Sequence, residues 1–286
     1  EVWVTNDRRE VENVRDIVAL TDLGEPDATK FVNPGAQTIT PKYYDIEGEL
    51  LPENDNNSLF KDLRSTPNIK EIDKAVTLLK TQFNLEQGRD FEKVSARKLS
   101  PTEYTFNPLL GFISLNINLQ PDQVLGVHYT YDYNGSVYAL GEQSTSNSDV
   151  STDTTDLTPE VLFVKMLKST TQRTDISSWD LMMKNVYSIG AYQVENEDFK
   201  LDIFYDDPGK GYKRFLPSSP LAGKPLLEVF NMDRLNSQND PQPDGRFDFV
   251  PGTTINPSNG RIYFPVLEPF GVALEEQLAG DAAAIE

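Results

Sequence analysis

Asp233, Asn236, Asn239, Asp240 and Asp244 crowd into one polar stretch that ends on Gly245. Oxygens of this kind are the hard ligands that calcium gathers in sets of about six to eight, and a glycine after the last of them permits a sharp turn. The spacing is not that of an EF-hand, because no Glu closes the loop where that motif needs one. Asx side chains also bond to nearby backbone and end helices without any ion. Calcium is therefore one expectation for this loop, and self-capping turns are the other. A second acidic group, Asp202, Asp206 and Asp207, precedes Pro208-Gly209 and reads as solvated turn residues. The basic run GKGYKR, from Gly209 to Arg214, lacks the spacing and the closing Ser or Thr of a phosphate loop and reads as a turn.

Signals for bond-making are weak. The chain holds one histidine, so a His–His metal centre cannot form and a Ser–His–Asp triad would rest on His128 alone. His128 lies in the alternating run VLGVHYTYDY, where a half-buried strand histidine is expected. No cysteine is present, which removes disulfides, thiol catalysis and Cys-based zinc. The GxSxG, HExxH and GxGxxG patterns do not occur. The 45 Asp and Glu offer so many carboxylate pairs that none singles out glycoside hydrolysis. The expectation is a chain without catalytic residues or an obligate cofactor. Tyr129, Tyr131, Tyr133 and Tyr138 give one segment an aromatic side, suited to core packing, to a protein contact or to stacking on a sugar.

The formal net charge of −19 argues against a nucleic-acid surface, since phosphate would be repelled. It suits a hydrated face outside the inner membrane, with calcium as a counter-ion. Hydrophobic residues at 38% are enough for packed cores and too many for disorder. No apolar run approaches the roughly 20 residues of a membrane helix, and no series of lipid-facing strands is apparent. The chain opens on EVWVTNDRRE and is expected to be a portion of a longer protein.

The elements that must position these residues are mainly strands. VWVT and IVAL, within Val2 to Leu20, read as tail strands of a preceding unit, comprising residues 1–25. Their free edge would promote dimerisation or disorder. Residues 26–58 read as an extended Pro- and Asn-rich linker, 59–271 as one β-rich domain and 272–286 as a C-terminal segment. Ile69, Ile72, Val76, Leu79 and Phe83 follow helical spacing after Thr66-Pro67. Asn134-Gly135, between VLGVHYTYDY and SVYAL, is the signature of a type I′ hairpin. Ser144 to Thr158 reads as a mobile loop. Thr158-Pro159-Glu160 then reads as a helix start, with Val161, Leu162, Val164 or Met166, and Leu167 on its apolar face. Trp179, Leu181 and Met182 are expected in a short segment docked on the core. Tyr187 to Val194, Phe199 to Tyr205, Phe247 to Val250 and Arg261 to Val266 read as strands, and Leu226 to Leu235 as a helix. The fold class is mainly β, at the margin α+β. The expected architecture is an antiparallel β-sandwich or jelly-roll with a few short helices in its connections.

Five stretches resemble one family. They are EVWVTN with IVALTDLGE, RDFEKVSARKLSPTEYTFNPLLGFISLN, QVLGVHYTYDYNGSVYALGE, SWDLMMKNVYSIGAYQV, and PDGRFDFVPGTTINPSNGRIYFPVLEPFG. Together they are similar to the SprA/Sov family, the outer-membrane translocon of the type IX secretion system, known also from gliding motility. The likeness is thinnest from Asp27 to Asn57 and from Ser144 to Thr158. It implies a soluble insertion in a very large barrel, outside the lipid and at the cell surface rather than in the periplasm, shaping the pore mouth and performing no catalysis. The implied partners are other segments of the same barrel protein, a PorV-like outer-membrane protein and a plug protein. A calcium-stabilised carbohydrate-binding jelly-roll module is the alternative expectation.

Overall fold

The computed structural model describes residues 1–8, 12–24, 51–56, 58–108, 111–144, 160–174, 177–217 and 219–278. Most of the expected linker, the Ser144–Thr158 loop beyond Ser144, Thr158-Pro159 and the end of the C-terminal segment lie outside these residues. The chain is mainly β with few short helices, and it divides into two compact units, Glu1–Met182 and Met183–Glu286. That division falls inside the stretch expected to be one domain. No described helix is long and apolar enough to cross a membrane.

Unit 1 contains β1 (Val2–Thr5), β2 (Val14–Leu20), α1 (Leu59–Ser65), α2 (Ile72–Thr81), β3 (Phe91–Lys98), β4 (Tyr104–Asn107) and β5 (Phe112–Leu115). It continues through β6 (Leu125–Val127), β7 (Tyr129–Tyr133), β8 (Ser136–Leu140) and β9 (Leu162–Lys168). Five of these strands close into a barrel in the order β1-β3-β2-β9-β6, in place of the expected two packed sheets. β1 pairs antiparallel with β3 on one edge and with β6 on the other, while β2 pairs with β3 and, in parallel, with β9. The first two strands are therefore staves of the barrel, which corrects their assignment to a preceding unit. They present no free edge, because their partners come from far along the chain.

The apolar runs make sense once both faces of these strands are covered. Ile17 and Ala19 point inward with Trp3, Ala96, Val124, Val164 and Met166, whereas Val18 and Leu20 face α1 and α2. On β1, Trp3 is inside while Val2 and Val4 pack under the β4–β5 hairpin with Leu99, Leu125 and Val127. A barrel this narrow holds one large indole only if its other positions are small, and Ala19, Ala96 and Gly126 supply that. β9 replaces the helix expected from Thr158 onward. Its residues Leu162 and Val164 face the interior and Phe163 faces the helices, a period of two that a short apolar run conceals. The α2 helix and the β7–β8 hairpin form as expected, with Asn134 at φ 51° and Gly135 at φ 76°.

Unit 2 has little regular structure. A three-stranded sheet of order β10-β14-β13 comprises β10 (Val186–Ser188), β13 (Ile255–Asn256) and β14 (Arg261–Tyr263). β11 (Tyr205–Asp207) and β12 (Gly211–Lys213) make a separate hairpin, and α3 (Leu226–Val229) and α4 (Val272–Leu278) are short. The expected strands over Phe199–Tyr205 and Phe247–Val250 are irregular segments, although Phe199, Leu201, Ile203, Phe247 and Phe249 still pack on the core. Aromatic edges hold that core. Phe199 meets Phe247 and Phe249 at 5.6 and 5.5 Å, and Phe264 meets Phe230 and Phe270 at 6.0 and 5.2 Å. At the end of unit 1, Leu181 and Met182 are 46% and 40% exposed rather than docked.

A methyl group added at Gly126 would meet Val164 Cγ2 at 2.7 Å, inside a wall with no slack. Gly126→Ala is expected to destabilise unit 1 by about 1–3 kcal/mol, read as a lowered urea midpoint with an unchanged slope. An unchanged midpoint would show that the interior has room to spare.

Candidate functional site

A segment without ladder bonds must satisfy its buried N–H groups in another way. In the stretch from Asn231 onward, side-chain oxygens accept backbone N–H groups in place of ladder partners. Asp233 is 1% exposed, and its two carboxylate oxygens accept the N–H of Asp244 at 3.0 Å and of Gly245 at 2.9 Å. Asp248 returns the brace by accepting the N–H of Arg234 at 2.6 Å and of Leu235 at 3.2 Å. Two crossing ties thus clamp residues 233–235 to residues 244–248. Asn236 closes an Asx-turn between them, with Oδ1 accepting the N–H of both Gln238 and Asp240 at 2.9 Å. Asn239, at φ 64°, donates its backbone N–H to the Asn236 carbonyl at 2.9 Å. Further along, Thr254 Oγ1 accepts the Val250 N–H at 3.0 Å.

The five expected calcium ligands are therefore near one another in the chain but differ in role. Asp233 is committed to backbone donors, Asn236 to its own turn, and Asp240 is exposed. Among the described residues, no group of three or more His, Cys, Asp or Glu is placed to hold a metal ion. Sequence reasoning passed over Asp248, whose signal was a single acid within the apolar run FDFV. Burial pushes its carboxyl above the usual aspartate range, and the nearby Asp233 and Asp244 charges add to this against the pull of its two N–H donors.

Asp202, Asp207 and the basic run GKGYKR, separate in the sequence argument, come together on the β11–β12 hairpin. Lys213 Nζ meets Asp207 at 2.6 Å and Arg214 meets Asp202 at 2.7 Å. Pro208 and Gly209, at φ 77°, turn the chain, with the Lys210 N–H donating to the Asp207 carbonyl at 2.9 Å. These acids and bases serve each other. The hydrogen bond from Lys213, with help from Lys210, holds the Asp207 carboxyl below its ordinary range.

His128 is buried, its Nδ1–H donates to the Leu140 carbonyl at 3.0 Å, and burial holds its pKa below the usual histidine value. It is a structural histidine. Of the four tyrosines, Tyr131 and Tyr138 stack at 5.1 Å, and the Tyr131 hydroxyl donates to the Pro52 carbonyl at 2.7 Å. Tyr138 is buried, and Tyr129 lies beside Tyr131 at 6.2 Å. Tyr131 and Tyr138 each spend a ring face on the other, while Tyr129 is 37% exposed. An open depression of about 490 Å³, lined by Lys80, Asn84, Leu85, Glu86, Gln87 and Arg89, gathers charge without convergence. Arg89 there is already paired to Asp90 at 2.9 Å and Glu86 at 3.0 Å.

Large apolar side chains reach the surface instead. In unit 2 Leu267 is 76% exposed, Tyr212 75% and Tyr192 68%, with Phe204, Phe270 and Val272 about half so. Arg214 lies 5.8 Å over the Phe204 ring, and Phe204 meets Tyr212 edge-on at 6.4 Å. Aromatic and Arg side chains in this state are the usual anchors of protein contacts. Compared with known proteins, the sequence matches no protein-family model and no curated protein.

Asp233→Ala removes from a buried position the acceptor of the Asp244 and Gly245 N–H groups and is expected to cost about 2 kcal/mol, whereas Asp240→Ala should stay within about 0.5 kcal/mol. Equal losses in urea unfolding would refute the brace. Repeating the Asp233 melts with calcium and with chelator tests the ion itself, because a ligand bound only to the folded state raises Tm.

Asp207 carries a defined pH signature. Its folded pKa is lowered, so its stabilisation is present above the ordinary aspartate value of 3.8 and is lost as pH falls through the folded value. The stability gap between wild type and Asp207→Asn should thus be widest near neutrality and close in acid well below 3.8. A gap independent of pH would contradict the ion pair. Asp248, with a raised pKa, contributes with the opposite sign, its penalty appearing as pH rises through its folded value.

Proposed function

We propose that this chain is a non-catalytic module of an outer-membrane protein-export pore of the type IX secretion and gliding-motility kind, part of an SprA/Sov-like protein. It is a soluble, cell-surface portion that shapes the pore mouth or presents a surface to partner proteins. One observation carries this reading. The five stretches that resemble the family supply the framework of both units, namely β1 and β2, β3 to β5, β6 to β8, β10, and the β13–β14 segment. The likeness lies in strands and turns, not in a cleft.

Two further features support it. The polar side chains most suggestive of chemistry are engaged in backbone and ion-pair contacts, as befits a scaffold. The exposed rings and aliphatics of unit 2 suit contacts with another segment of the barrel protein or with a PorV-like partner. The alternative, a calcium-stabilised carbohydrate-binding jelly-roll, calls for open aromatic faces, and the Tyr131–Tyr138 stack works against it.

The test is made in cells that carry the full-length pore. Photo-crosslinking residues at Tyr212 and Leu267 are expected to yield adducts with the PorV-like protein or with the barrel. In-frame removal of residues 183–278 is expected to stop release of type IX cargo while the barrel still assembles. Normal cargo release from that deletion strain would overturn the proposal.

A further inference from the structure

Three dipeptides in this chain pair an Asn or Asp side chain with a following glycine nitrogen, Asn134-Gly135, Asp244-Gly245 and Asn259-Gly260, and the fold treats them differently. The chemistry they share is intramolecular. A glycine nitrogen that has given its proton to hydroxide attacks Cγ of the preceding residue, forming a five-membered succinimide. With asparagine, the N–Cγ bond forms and the Cγ–Nδ2 bond breaks, and ammonia leaves with a proton from water. Water then adds to one of the two ring carbonyls. Opening at Cγ gives aspartate, and opening at the main-chain carbonyl gives isoaspartate, whose backbone runs through the side chain and is one carbon longer. The step needs a nucleophilic nitrogen that is not already bonded, a side chain free to rotate, and access for water.

We infer that Asn134 is a self-modifying site in the folded protein, converting to aspartate and isoaspartate with water as the sole co-reactant, while the other two positions are protected by the fold. Asn134 and Gly135 form the exposed tip of the β7–β8 hairpin. Among the described residues, no hydrogen bond holds the Asn134 amide or the Gly135 N–H. A Cβ built on Gly135 would meet nothing within 4 Å, so the tip has open space for ring closure. The same freedom of φ that lets asparagine and glycine make the turn leaves them unscreened.

Asn259-Gly260 lies in the opposite setting. Asn259 Oδ1 is buried, and a Cβ on Gly260 would strike the Ala191 carbonyl oxygen at 2.0 Å. The turn is zipped to residues 189–194, because the Ile189 N–H donates to the Gly260 carbonyl at 2.9 Å and the Val194 N–H to that of Pro257 at 2.9 Å. Neither rotation of the side chain nor entry of water is compatible with that packing. At Asp244-Gly245 the nucleophile itself is taken, since the Gly245 N–H donates to Asp233 at 2.9 Å.

Conversion at Asn134 has a structural consequence. The extra backbone carbon of isoaspartate breaks the two-residue turn that sets Tyr133 opposite Ser136 and Tyr131 opposite Tyr138. The Tyr131–Tyr138 stack and the burial of Tyr138 depend on that register. The hairpin thus carries a slow, one-way clock that opens its aromatic face.

The test is peptide mapping by mass spectrometry, with isoaspartate scored by an isoaspartyl methyltransferase, on the whole chain held at mildly alkaline pH, folded and in urea. In the folded state Asn134 is expected to convert at least about tenfold faster than Asn259, a difference in barrier of about 1.4 kcal/mol. In urea, where both dipeptides are free, the two rates should converge to within about twofold. A folded-state ratio below tenfold, or a ratio that persists in urea, overturns the inference.

Discussion

Every backbone N–H that leaves water must find an acceptor, and the two units meet that constraint by different means. Unit 1 closes a sheet on itself, so that its barrel strands pair on both edges. Unit 2 has strands of only two or three residues and recruits carboxylates, an Asx-turn and a threonine hydroxyl as acceptors. Asp233 and Asp248 are buried or partly buried charges, tolerated because each accepts charge-assisted bonds from two amides.

A cluster of Asp and Asn in a turn-rich loop is what a calcium site looks like in one dimension, and a self-braced loop looks the same. The difference lies in what the oxygens face. When both oxygens of Asp233 are occupied by Asp244 and Gly245, the residue is part of the loop's own frame. The β11–β12 hairpin repeats the lesson, since Asp207 and Lys213 were each unremarkable alone and form a pair across the strands. The surface of unit 2 also carries exposed aromatic and aliphatic side chains, and those are the material of protein contacts.

Much of the local structure was legible in the residues, and most of the long-range structure was not. Asn134-Gly135 specified its hairpin because two residues with positive φ leave few alternatives, and the spacing from Ile69 to Phe83 gave α2. β9 was misread because Thr158-Pro159-Glu160 imitates a helix start and a run of apolar residues shorter than a helix carries no period of its own. β1 and β2 looked like fragments because the partners that complete them, Phe91–Lys98, Leu125–Val127 and Leu162–Lys168, are remote in the sequence. The crowding of Asp and Asn from Asp233 to Asp244 was legible as a polar loop, but side-chain direction, which decides between ion and backbone, is not encoded in spacing. The exposure of Leu267 and Tyr212 likewise left no mark on the pattern of the chain.

Native-state hydrogen exchange at single-residue resolution tests the central claim, that side-chain carboxylates replace ladder bonds in unit 2. The account predicts that the amides of Arg234, Leu235, Asp244 and Gly245 are protected to the same order as those of the β13–β14 pair. It further predicts that Asp233→Asn weakens protection at Asp244 and Gly245 first. Exchange of those four amides at the rate of an open loop in the wild-type chain would contradict it.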